Sequence, residues 1–428
     1  MPDYKDAVLP QLLARRNGPL ADGDSLVLPN QTGHSLVNLP GTVSRLLGGP
    51  ELSSPPLSPV ILEKLGGAYR NVIVLLVDAL GYEHLLRLMS AGKADFWKEN
   101  LPRASLFPLT SISPSTTATA LTTLWTGTEP AEHGYIGYEL WLKRYSMVIN
   151  TILHMPAAYF GDVGSLAKAG FTAENFLGIP TLGARFAGRG IESHAFLPAS
   201  ILGSGLSRMH LEKTSVHGYV AESDLWANLR DILNTPTRGA RYCYVYWSTL
   251  DSLIHRYGPN DLRVDNQFAD LSRSLEVNFL DGLENQVREK TLLLLTADHG
   301  AIATPVHGKY NLGNHPELVN MLRMLPTCEG RLPFLFVKPG MEAAVRAYFA
   351  NAWPGKFSLL TMDEALSMRL FGIGAEHPGL RERLGDLIAV PHEDAYLWWP
   401  EKPNVMQGRH GGLHRLEMLI PLYALPLG

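Results

Sequence analysis

The sequence predicts an α/β protein, with a doubly wound, mostly parallel central sheet, helices on both faces and a small inserted cap region. Two short runs, 72–77 and 291–297, are largely apolar, as central strands covered on both faces must be. The run 242–247 is rich in aromatic and β-branched residues, which also favour strands. Segments with helical spacing lie between these runs, and strands that alternate with helices indicate a parallel sheet.

The composition is that of an ordinary globular protein. The chain has 428 residues, of which 46% are hydrophobic and 18% charged. This length suffices for one large α/β domain with insertions, and we expect a single domain over residues 1–428. The formal net charge of −4 gives no general attraction to nucleic acid or to anionic membranes, so neither is expected as a partner.

The sequence predicts a cytoplasmic protein. Residues 1–6 are polar and mixed in charge, unlike a secretory signal, and no apolar run approaches the length of a membrane span. Cys243 and Cys328 are the two cysteines, which fits a reducing compartment and leaves one disulfide open.

The first part of the chain is predicted to lead into the sheet. Residues 1–67 are rich in Pro, Gly, Ser and Leu, with a helix expected near 42–47, and we expect them to wrap the main sheet. Later, the strand-like run 104–107 leads through hydroxyl-rich residues into a helical pattern that ends at Thr126-Gly127. Residues 147–235 are the least regular, and because they separate two core strands, we predict a substrate-selecting insertion there.

Acids and histidines follow the predicted strands. Asp78 ends the first run, where ligands of open α/β sheets bind, although an aspartate there can also cap the next helix. Asp251 and His255 stand four residues apart, so a helix would place both on one face; a solvated polar pair is the alternative. Asp298 and His299 end the leucine-rich run, and buried carboxylates need a compensating partner such as a divalent cation.

Two further positions complete the pattern. His410 stands before two glycines and after Gly408-Arg409, and glycines allow the backbone to approach a ligand closely. Thr116 and Thr117 lie at a strand-to-helix junction, where free N–H groups bind anions, although a single hydroxyl at such a position is more often a helix cap.

Together these residues predict a two-metal site. Three carboxylates and three imidazoles suit zinc or manganese better than calcium, which favours oxygen ligands. Six such groups can form two sites of three protein ligands each, with open positions for a substrate. Two neighbouring metals clamp the attacking and leaving oxygens of a phosphoryl transfer, and a metal-bound threonine hydroxyl would act as the nucleophile.

Five blocks carry a resemblance to a known family: Val77-Asp78-Ala79-Leu80-Gly81, Pro114-Ser115-Thr116-Thr117 with Thr126-Gly127, Asp251-Ser252-Leu253-Ile254-His255-Arg256-Tyr257-Gly258-Pro259, Thr296-Ala297-Asp298-His299-Gly300 and His410-Gly411-Gly412. In this order, spread over residues 72–423, they resemble the alkaline phosphatase superfamily and, more narrowly, its type I phosphodiesterase/nucleotide pyrophosphatase branch. The resemblance implies an alkaline phosphatase-like fold and metal-dependent hydrolysis of phosphate esters, above all of phosphodiester or pyrophosphate bonds.

The resemblance also implies a set of roles. Two zinc ions, or alternatively manganese, would be held by two ligand sets: Asp251, His255 and His410 for one ion, and Asp78, Thr117, Asp298 and His299 for the other. Thr117 would be the nucleophile and would form a covalent phosphothreonine that water then hydrolyses, with Thr116 as the competing candidate. The substrate would be a small phosphate ester or a nucleotide-like molecule.

The sequence departs from the family pattern in its substrate contacts. Nucleotide pyrophosphatases usually carry an asparagine after the nucleophile, and Tyr138 takes the matching position here, with Asn150 further along. Tyr257 and Arg409 are further candidates for contact with the substrate. The alternative functions are a phosphomonoesterase or phosphonate hydrolase of the same superfamily, or a phosphomutase, although phosphomutases generally use serine and manganese. Nothing in the sequence indicates the oligomeric state.

Overall fold

A computed structural model describes residues 4–14, 20, 25–158, 162–400 and 402–428. Its strands, in chain order, are β1 Asn71–Val77, β2 Ser105–Thr110, β3 Glu139–Leu142, β4 Met147–Asn150, β5 Met155–Pro156, β6 Glu192–Pro198, β7 Ser215–Tyr219, β8 Arg241–Trp247, β9 Thr291–Thr296, β10 Ile302–Ala303, β11 Thr327–Glu329, β12 Leu332–Leu335, β13 Phe357–Thr361, β14 Leu387–Pro391, β15 Gly408–Arg409 and β16 Leu419–Pro426.

Helices connect these strands. They are α1 Tyr4–Leu13, α2 Leu39–Leu46, α3 Pro59–Leu65, α4 Tyr82–Ser90, α5 Asp95–Glu99, α6 Thr117–Thr126, α7 Pro130–His133, α8 Ala173–Phe176, α9 Leu182–Ala187, α10 Gly205–His210, α11 Glu222–Asn234, α12 Thr249–Tyr257, α13 Leu262–Leu275, α14 Asn285–Arg288, α15 Pro316–Met321, α16 Glu342–Ala352, α17 Met362–Ser367, α18 Leu380–Leu384 and α19 Arg415–Met418. In the described parts, no helix is both long and apolar enough to cross a membrane.

The central sheet has the predicted class. Its strand order is β2-β16-β9-β1-β8-β6-β7, and β1 pairs in parallel with both β8 and β9. β16 is antiparallel to both of its neighbours, β9 and β2. Every residue of β1, β8 and β9 is buried, as expected of strands that helices cover on both faces. The mostly parallel α/β architecture is therefore confirmed.

A second, antiparallel sheet lies beside the central one, with the order β13-β14-β12-β11-β3-β4-β5. It combines two distant stretches of the chain, 139–156 and 327–391. Its strands have two to five residues each, so that their sequences carry little periodicity. Within the smaller sheet, β11 pairs with β3 at Cys328 and Glu139. Both strands contribute side chains to the candidate site.

Residues 147–235 do not form one inserted unit, contrary to the expectation from sequence. β6 and β7 from this segment join the central sheet, where β6 pairs with β8, while only 147–156 enter the smaller sheet. No sequence pattern predicted β7, because it is a largely exposed edge strand without an apolar run. A substrate-selecting role for the remainder of this segment stays a prediction.

The described portion of residues 1–67 packs against the central sheet. The helix expected near 42–47 is α2, which is buried along most of its length. Thr110 at the end of β2 receives the Asn30 N–H on its hydroxyl at 2.9 Å and donates its own N–H to the His34 carbonyl at 2.8 Å. Residues 1–3, 15–19 and 21–24 of the predicted lead-in lie outside the described residues. Cys243 and Cys328 are both buried and form no disulfide.

Candidate two-metal active site

The carboxyl ends of the central strands bring the predicted acids and histidines together. Asp78 follows β1, and Asp298 and His299 follow β9, its direct neighbour in the sheet. Asp251 and His255 lie on α12, directly after β8, and His410 follows β15. Because β8, β1 and β9 are adjacent and parallel, their ends share one edge.

Asp78, Asp298 and His299 form the first group of potential metal ligands, with one ligand atom of each within 4.8 Å of the others. The His299 Nε2 lies 3.5 Å from Asp78 Oδ1 and 3.3 Å from Asp298 Oδ2. All three side chains are buried. This arrangement has the size and donor set of a cation site.

Asp251, His255 and His410 form the second group, within the same 4.8 Å limit. Asp251 Oδ1 lies 3.3 Å from His255 Nε2 and 3.7 Å from His410 Nε2. The four-residue spacing on α12 therefore places an acid and an imidazole on one face, as the sequence predicted.

The two groups adjoin each other. The rings of His299 and His410 stack with their centroids 3.7 Å apart and their planes at 13°. The Thr117 hydroxyl lies 3.2 Å from His299 Nε2. A hydroxyl at the first residue of α6 thus lies beside the first group, next to backbone N–H groups that have no partner within the helix.

Backbone carbonyls orient all three imidazoles. His255 Nδ1 bonds to the Gly408 carbonyl at 2.9 Å, His299 Nδ1 to that of Gly300 at 2.9 Å and His410 Nδ1 to that of Ser115 at 3.2 Å. A carbonyl only accepts, so each Nδ1 must donate, which leaves Nε2 as the nitrogen that can bind a metal. This arrangement suits metal binding through Nε2. In known metal sites, a hydrogen bond from the other ring nitrogen to a carbonyl commonly fixes the histidine in the same way.

Asp78 and Asp298 likewise use one carboxylate oxygen for hydrogen bonds within the protein. Asp298 Oδ1 accepts N–H groups from Ala79 at 3.2 Å and His299 at 3.0 Å, while Asp78 Oδ2 accepts the Tyr246 hydroxyl. Ala79 takes a left-handed backbone, with φ of 65°, at the turn where its N–H meets Asp298. Among the described residues, one oxygen of each ligand carboxylate is buried and finds no hydrogen-bond partner: Asp78 Oδ1, Asp251 Oδ1 and Asp298 Oδ2.

These free oxygens fit cations. Burial, together with the charges of Asp298 and Asp251, raises the pKa of Asp78 well above its usual range, and burial raises the pKa of Asp298. Burial and the neighbouring His299 and His255 hold the pKa of His410 well below its usual value, so that its ring is neutral. Crowded carboxylates with free oxygens, beside the neutral ring of His410, need positive charge, and divalent metal ions supply it.

Thr116 and Thr117 have different surroundings. The Thr116 hydroxyl turns away from the two groups and donates to Glu329 Oε1 at 2.5 Å. Burial raises the pKa of Glu329 to about 8. The sequence did not point to Glu329, because it is an isolated acid on the three-residue strand β11.

A cavity of about 360 Å³ opens over the site. Its lining includes these residues: Thr116, Thr117, Tyr138, Glu139, Ile152, Asp251, His255, Cys328, Glu329, Trp398, Trp399, Lys402, Met406, Arg409 and His410. Tyr138 thus reaches the cavity. Asn150 lies behind it: its amide hydrogen-bonds the Tyr138 side chain, and its Oδ1 accepts the N–H groups of Ile152 and Leu153.

The other two predicted substrate contacts are engaged within the protein. The guanidinium of Arg409 bonds to Thr304, Met406 and Asn404 and lies 3.8 Å above the Tyr396 ring. Tyr257 stacks beneath Arg263 at 4.2 Å and is not part of the cavity lining. Sequence reasoning also missed Glu139, Trp399 and Tyr246, since lone acids and aromatics in short or buried strands carry no motif.

A doubly wound α/β sheet with two acid–histidine groups and a hydroxyl at its strand ends defines a metal-dependent hydrolase of the alkaline phosphatase superfamily. The sequence profile of the type I phosphodiesterase / nucleotide pyrophosphatase family matches residues 72–413, and the chain belongs to this family. No curated protein matches the sequence significantly.

Solved structures show the same fold at low sequence identity. Murine ectonucleotide pyrophosphatase/phosphodiesterase 5 superposes with a TM-score of 0.61 and 16% identity, over 82% of this chain and 87% of that one. The human protein of the same name gives 0.61 and 14%, over 82% and 87%. Phosphonoacetate hydrolase from Sinorhizobium meliloti 1021, in complex with phosphonoformate, gives 0.60 and 17%, over 83% and 90%.

Proposed function

We propose that this chain hydrolyses phosphate esters, above all phosphodiester or pyrophosphate bonds of small molecules, with Thr117 as the nucleophile and two zinc ions as cofactors. One observation carries the proposal: the Thr117 hydroxyl lies 3.2 Å from His299 Nε2, beside two adjoining groups of three metal-type ligands. Family membership supports the reaction class.

The proposed ligand sets follow the two groups. Asp251, His255 and His410 would hold one ion, and Asp78, Asp298 and His299 would hold the other together with Thr117. Zinc ions bound there would polarise the phosphoryl oxygens and lower the pKa of the threonine hydroxyl. The imidazole donors and the free carboxylate oxygens support zinc, and manganese is the alternative that the donor set allows.

The protein's own groups would then carry the two displacements. The Thr117 oxygen attacks phosphorus, the bond to the leaving alcohol or phosphate breaks, and a phosphothreonine forms. Backbone N–H groups at the start of α6 face the added negative charge. Water then attacks the same phosphorus and releases Thr117, so that two in-line steps give net retention.

Two observations support Thr117 over Thr116. Thr116 donates its hydroxyl proton to Glu329, away from the imidazoles, whereas Thr117 faces them. A structure of the murine phosphodiesterase 5 is described as an inactive threonine-to-alanine variant in complex with AMP; it has a TM-score of 0.60 and 15% identity, over 82% of this chain and 87% of that one. An essential threonine in a relative of the same fold supports a threonine nucleophile here.

Phosphonate hydrolysis is the second candidate, because phosphonoacetate hydrolase shares the fold.

The test compares Thr117→Ala with Thr116→Ala in zinc-loaded protein. With bis(p-nitrophenyl) phosphate as substrate, we expect Thr117→Ala to lower kcat on the order of 10³-fold or more, because removal of a nucleophile removes its whole reaction path. Thr116→Ala should retain most of the activity. Full activity in Thr117→Ala, with loss in Thr116→Ala, would reverse the assignment of the nucleophile.

A further inference from the structure

A second cavity, of about 420 Å³, lies apart from the candidate active site. It opens between the end of β3, the segment that leads into α8 and the helix α18, and we call it the β3–α18 cavity. The argument below uses these residues of its lining: Trp141, Lys143, Phe171, Phe176, His377 and Arg383. None of its described lining residues belongs to the cavity over the active site or to the two metal-ligand groups.

Arg383 is a buried arginine whose hydrogen-bonding capacity is largely unused. The residue is 8% exposed, yet among the described residues its guanidinium makes one hydrogen bond, from Nη1 to the Gly134 carbonyl at 2.6 Å. The other buried arginines of the described chain make at least three each: Arg241, Arg331 and Arg409. A guanidinium carries five N–H donors, so Nε and Nη2 of Arg383 are available to a ligand.

Gly379 keeps this edge of the guanidinium open. It also lines the β3–α18 cavity, and a Cβ atom there would lie 3.1 Å from Arg383 Nη2 and 3.2 Å from Nε. Its φ of −93° is accessible to every residue type, so the glycine is not needed for its backbone conformation. What it provides is space beside the two nitrogens that have no partner in the described structure.

No carboxylate of the described residues forms an ion pair with Arg383. Glu382 is the one acid among the described lining residues, and it pairs with Lys143 at 2.8 Å instead. The exposed Arg144 adds a second cation to the lining, 5.7 Å from the centre of the Tyr145 ring. Burial lowers the pKa of Arg383 to about 10, as expected of a buried charge without a close counter-charge. The cavity therefore has an excess of positive charge.

His377 contributes a neutral donor. Its Nδ1 accepts the Gly379 N–H at 2.9 Å, so the proton of the neutral ring is on Nε2. Burial, together with the charge of Arg383, lowers the pKa of His377 to about 4, which keeps the ring neutral near pH 7. In the described structure the Nε2–H makes no hydrogen bond, so it is a further donor at the cavity wall.

Aromatic rings form much of the remaining wall. The centre of the Phe176 ring lies 5.4 Å from the guanidinium carbon of Arg383, and Phe171 packs against Phe176 with ring centroids 4.8 Å apart. Trp141 and Tyr145 line the cavity as well. Apolar walls with a few placed polar groups are typical of small-molecule sites, whose volumes are usually about 300–1,000 Å³. Such walls favour an anion that is attached to a ring over a free inorganic ion.

We propose that the β3–α18 cavity binds a small organic oxyanion, a phosphate-type or carboxylate group carried on an aromatic ring, with Arg383 as its main contact. The oxyanion lies against Nε and Nη2 of Arg383, with the Nε2–H of His377 as a third donor, and the ring packs among Phe171, Phe176 and Trp141. The edge of a guanidinium presents two parallel donors, which match the oxygens of carboxylates and phosphates. This site does not depend on the proposed hydrolysis.

Calorimetry with phenylphosphonate tests the site, because this ligand has the ring and the anion but no ester bond. The candidate metal centre can bind it too, so the measured quantity is the number of equivalents bound by zinc-loaded, full-length protein. We expect Arg383→Gln to bind one equivalent fewer than the unaltered protein. Arg381→Gln removes an exposed arginine of the same helix that pairs with Glu376 and Asp363, and it should bind as many. An unchanged number in Arg383→Gln overturns the proposal.

Gly379→Ala tests the position of the anion with the arginine in place, and it carries the test if Arg383→Gln does not fold. Its methyl group would fill the space beside Nη2 and Nε, so we expect the affinity of this one equivalent to fall at least about tenfold. The melting temperature shows whether the variant is folded. An affinity equal to that of the unaltered protein would show that the anion does not bind at this edge and would overturn the proposal.

Three related ligands define the chemistry. Benzyl alcohol has the ring without the charge, methylphosphonate has the anion without the ring, and benzoate replaces the phosphonate by a carboxylate. At the equivalent that Arg383→Gln removes, we expect benzyl alcohol to bind at least about tenfold more weakly than phenylphosphonate, because it lacks charge-assisted hydrogen bonds. Methylphosphonate should also bind more weakly. The stronger of phenylphosphonate and benzoate identifies the oxyanion, whereas equal binding of benzyl alcohol would overturn an anion site.

Discussion

Tyr246 shows how a single side chain prepares the metal ligands. Its hydroxyl donates to one oxygen of Asp78, so that the other oxygen points toward His299. Contacts of this kind orient a ligand and set its basicity without touching the ion. Tyr246 alternates along β8 with residues that face the opposite side of the sheet, and nothing in the run 242–247 distinguishes it from its aromatic neighbours.

We expect Tyr246→Phe to weaken zinc binding by about 10–100-fold, because Asp78 loses the donor that orients it. Competition with a chromogenic chelator measures the affinity directly. Tyr244→Phe is the matched control: its hydroxyl is buried, has no hydrogen-bond partner in the described structure and stands two residues earlier on the same strand. Equal affinities for the two variants would show that the Tyr246 bond has no such role.

A buried ion pair joins the smaller sheet to the loop that carries His410. Arg331, just before β12, binds both carboxylate oxygens of Glu417 on α19, at 3.1 and 2.6 Å, and both side chains are fully buried. Glu417 also accepts the Gly412 N–H at 2.9 Å. The pair therefore fixes the backbone two residues after His410.

We expect Glu417→Gln to destabilise the protein by about 3–5 kcal/mol, because it leaves the Arg331 charge buried without a counter-charge. Urea unfolding measures the change. Replacing both residues, as in Arg331→Met with Glu417→Leu, should restore much of the loss, since it removes the buried charge altogether. Asp363→Asn, which breaks an exposed pair with Arg381, should leave stability nearly unchanged. A Glu417 variant as stable as this control would contradict the expectation.

The sequence predicted the strands that are buried on both faces. It missed the short strands whose pairing joins distant parts of the chain. β1 and β9 are buried on both faces, so their apolar runs and the acids that follow them were visible. The pairing of β3 with β11 joins residues almost 190 positions apart in short strands, and no local pattern encodes it. For the same reason the ligand candidates were found, while Glu139 and Glu329 were not. Nor does the apolar run of β16 encode its antiparallel direction.

The whole molecule encloses more negative charge at the sheet edge than its own side chains neutralise. Burial and mutual repulsion raise the pKa of Asp78 and of Asp298 above the usual value of 3.8. Without metal, the unfolded chain ionises these groups at a lower pH than the folded one. The folded state then binds more protons, so that its stability falls as the pH rises above about 4.

We therefore expect the melting temperature of zinc-loaded protein to exceed that of chelator-treated protein by a margin that widens between about pH 5 and pH 8. Calorimetric scans of both forms at each pH give this margin. Asp298→Asn removes one of the titrating groups, and its chelated form should lose less stability as the pH rises. A margin that is constant or narrows with pH would contradict the charge argument.

The stacked rings of His299 and His410 have a consequence for how the centre is assembled. Each ring belongs to a different ligand group, so two cations loaded there would sit close enough to repel each other across the pair. Loading should therefore be stepwise, with a high-affinity first ion and a weaker second one. In a titration, occupancy would show two inflections, and activity would rise only with the second. Protein with too little metal would then hold one ion and remain inactive.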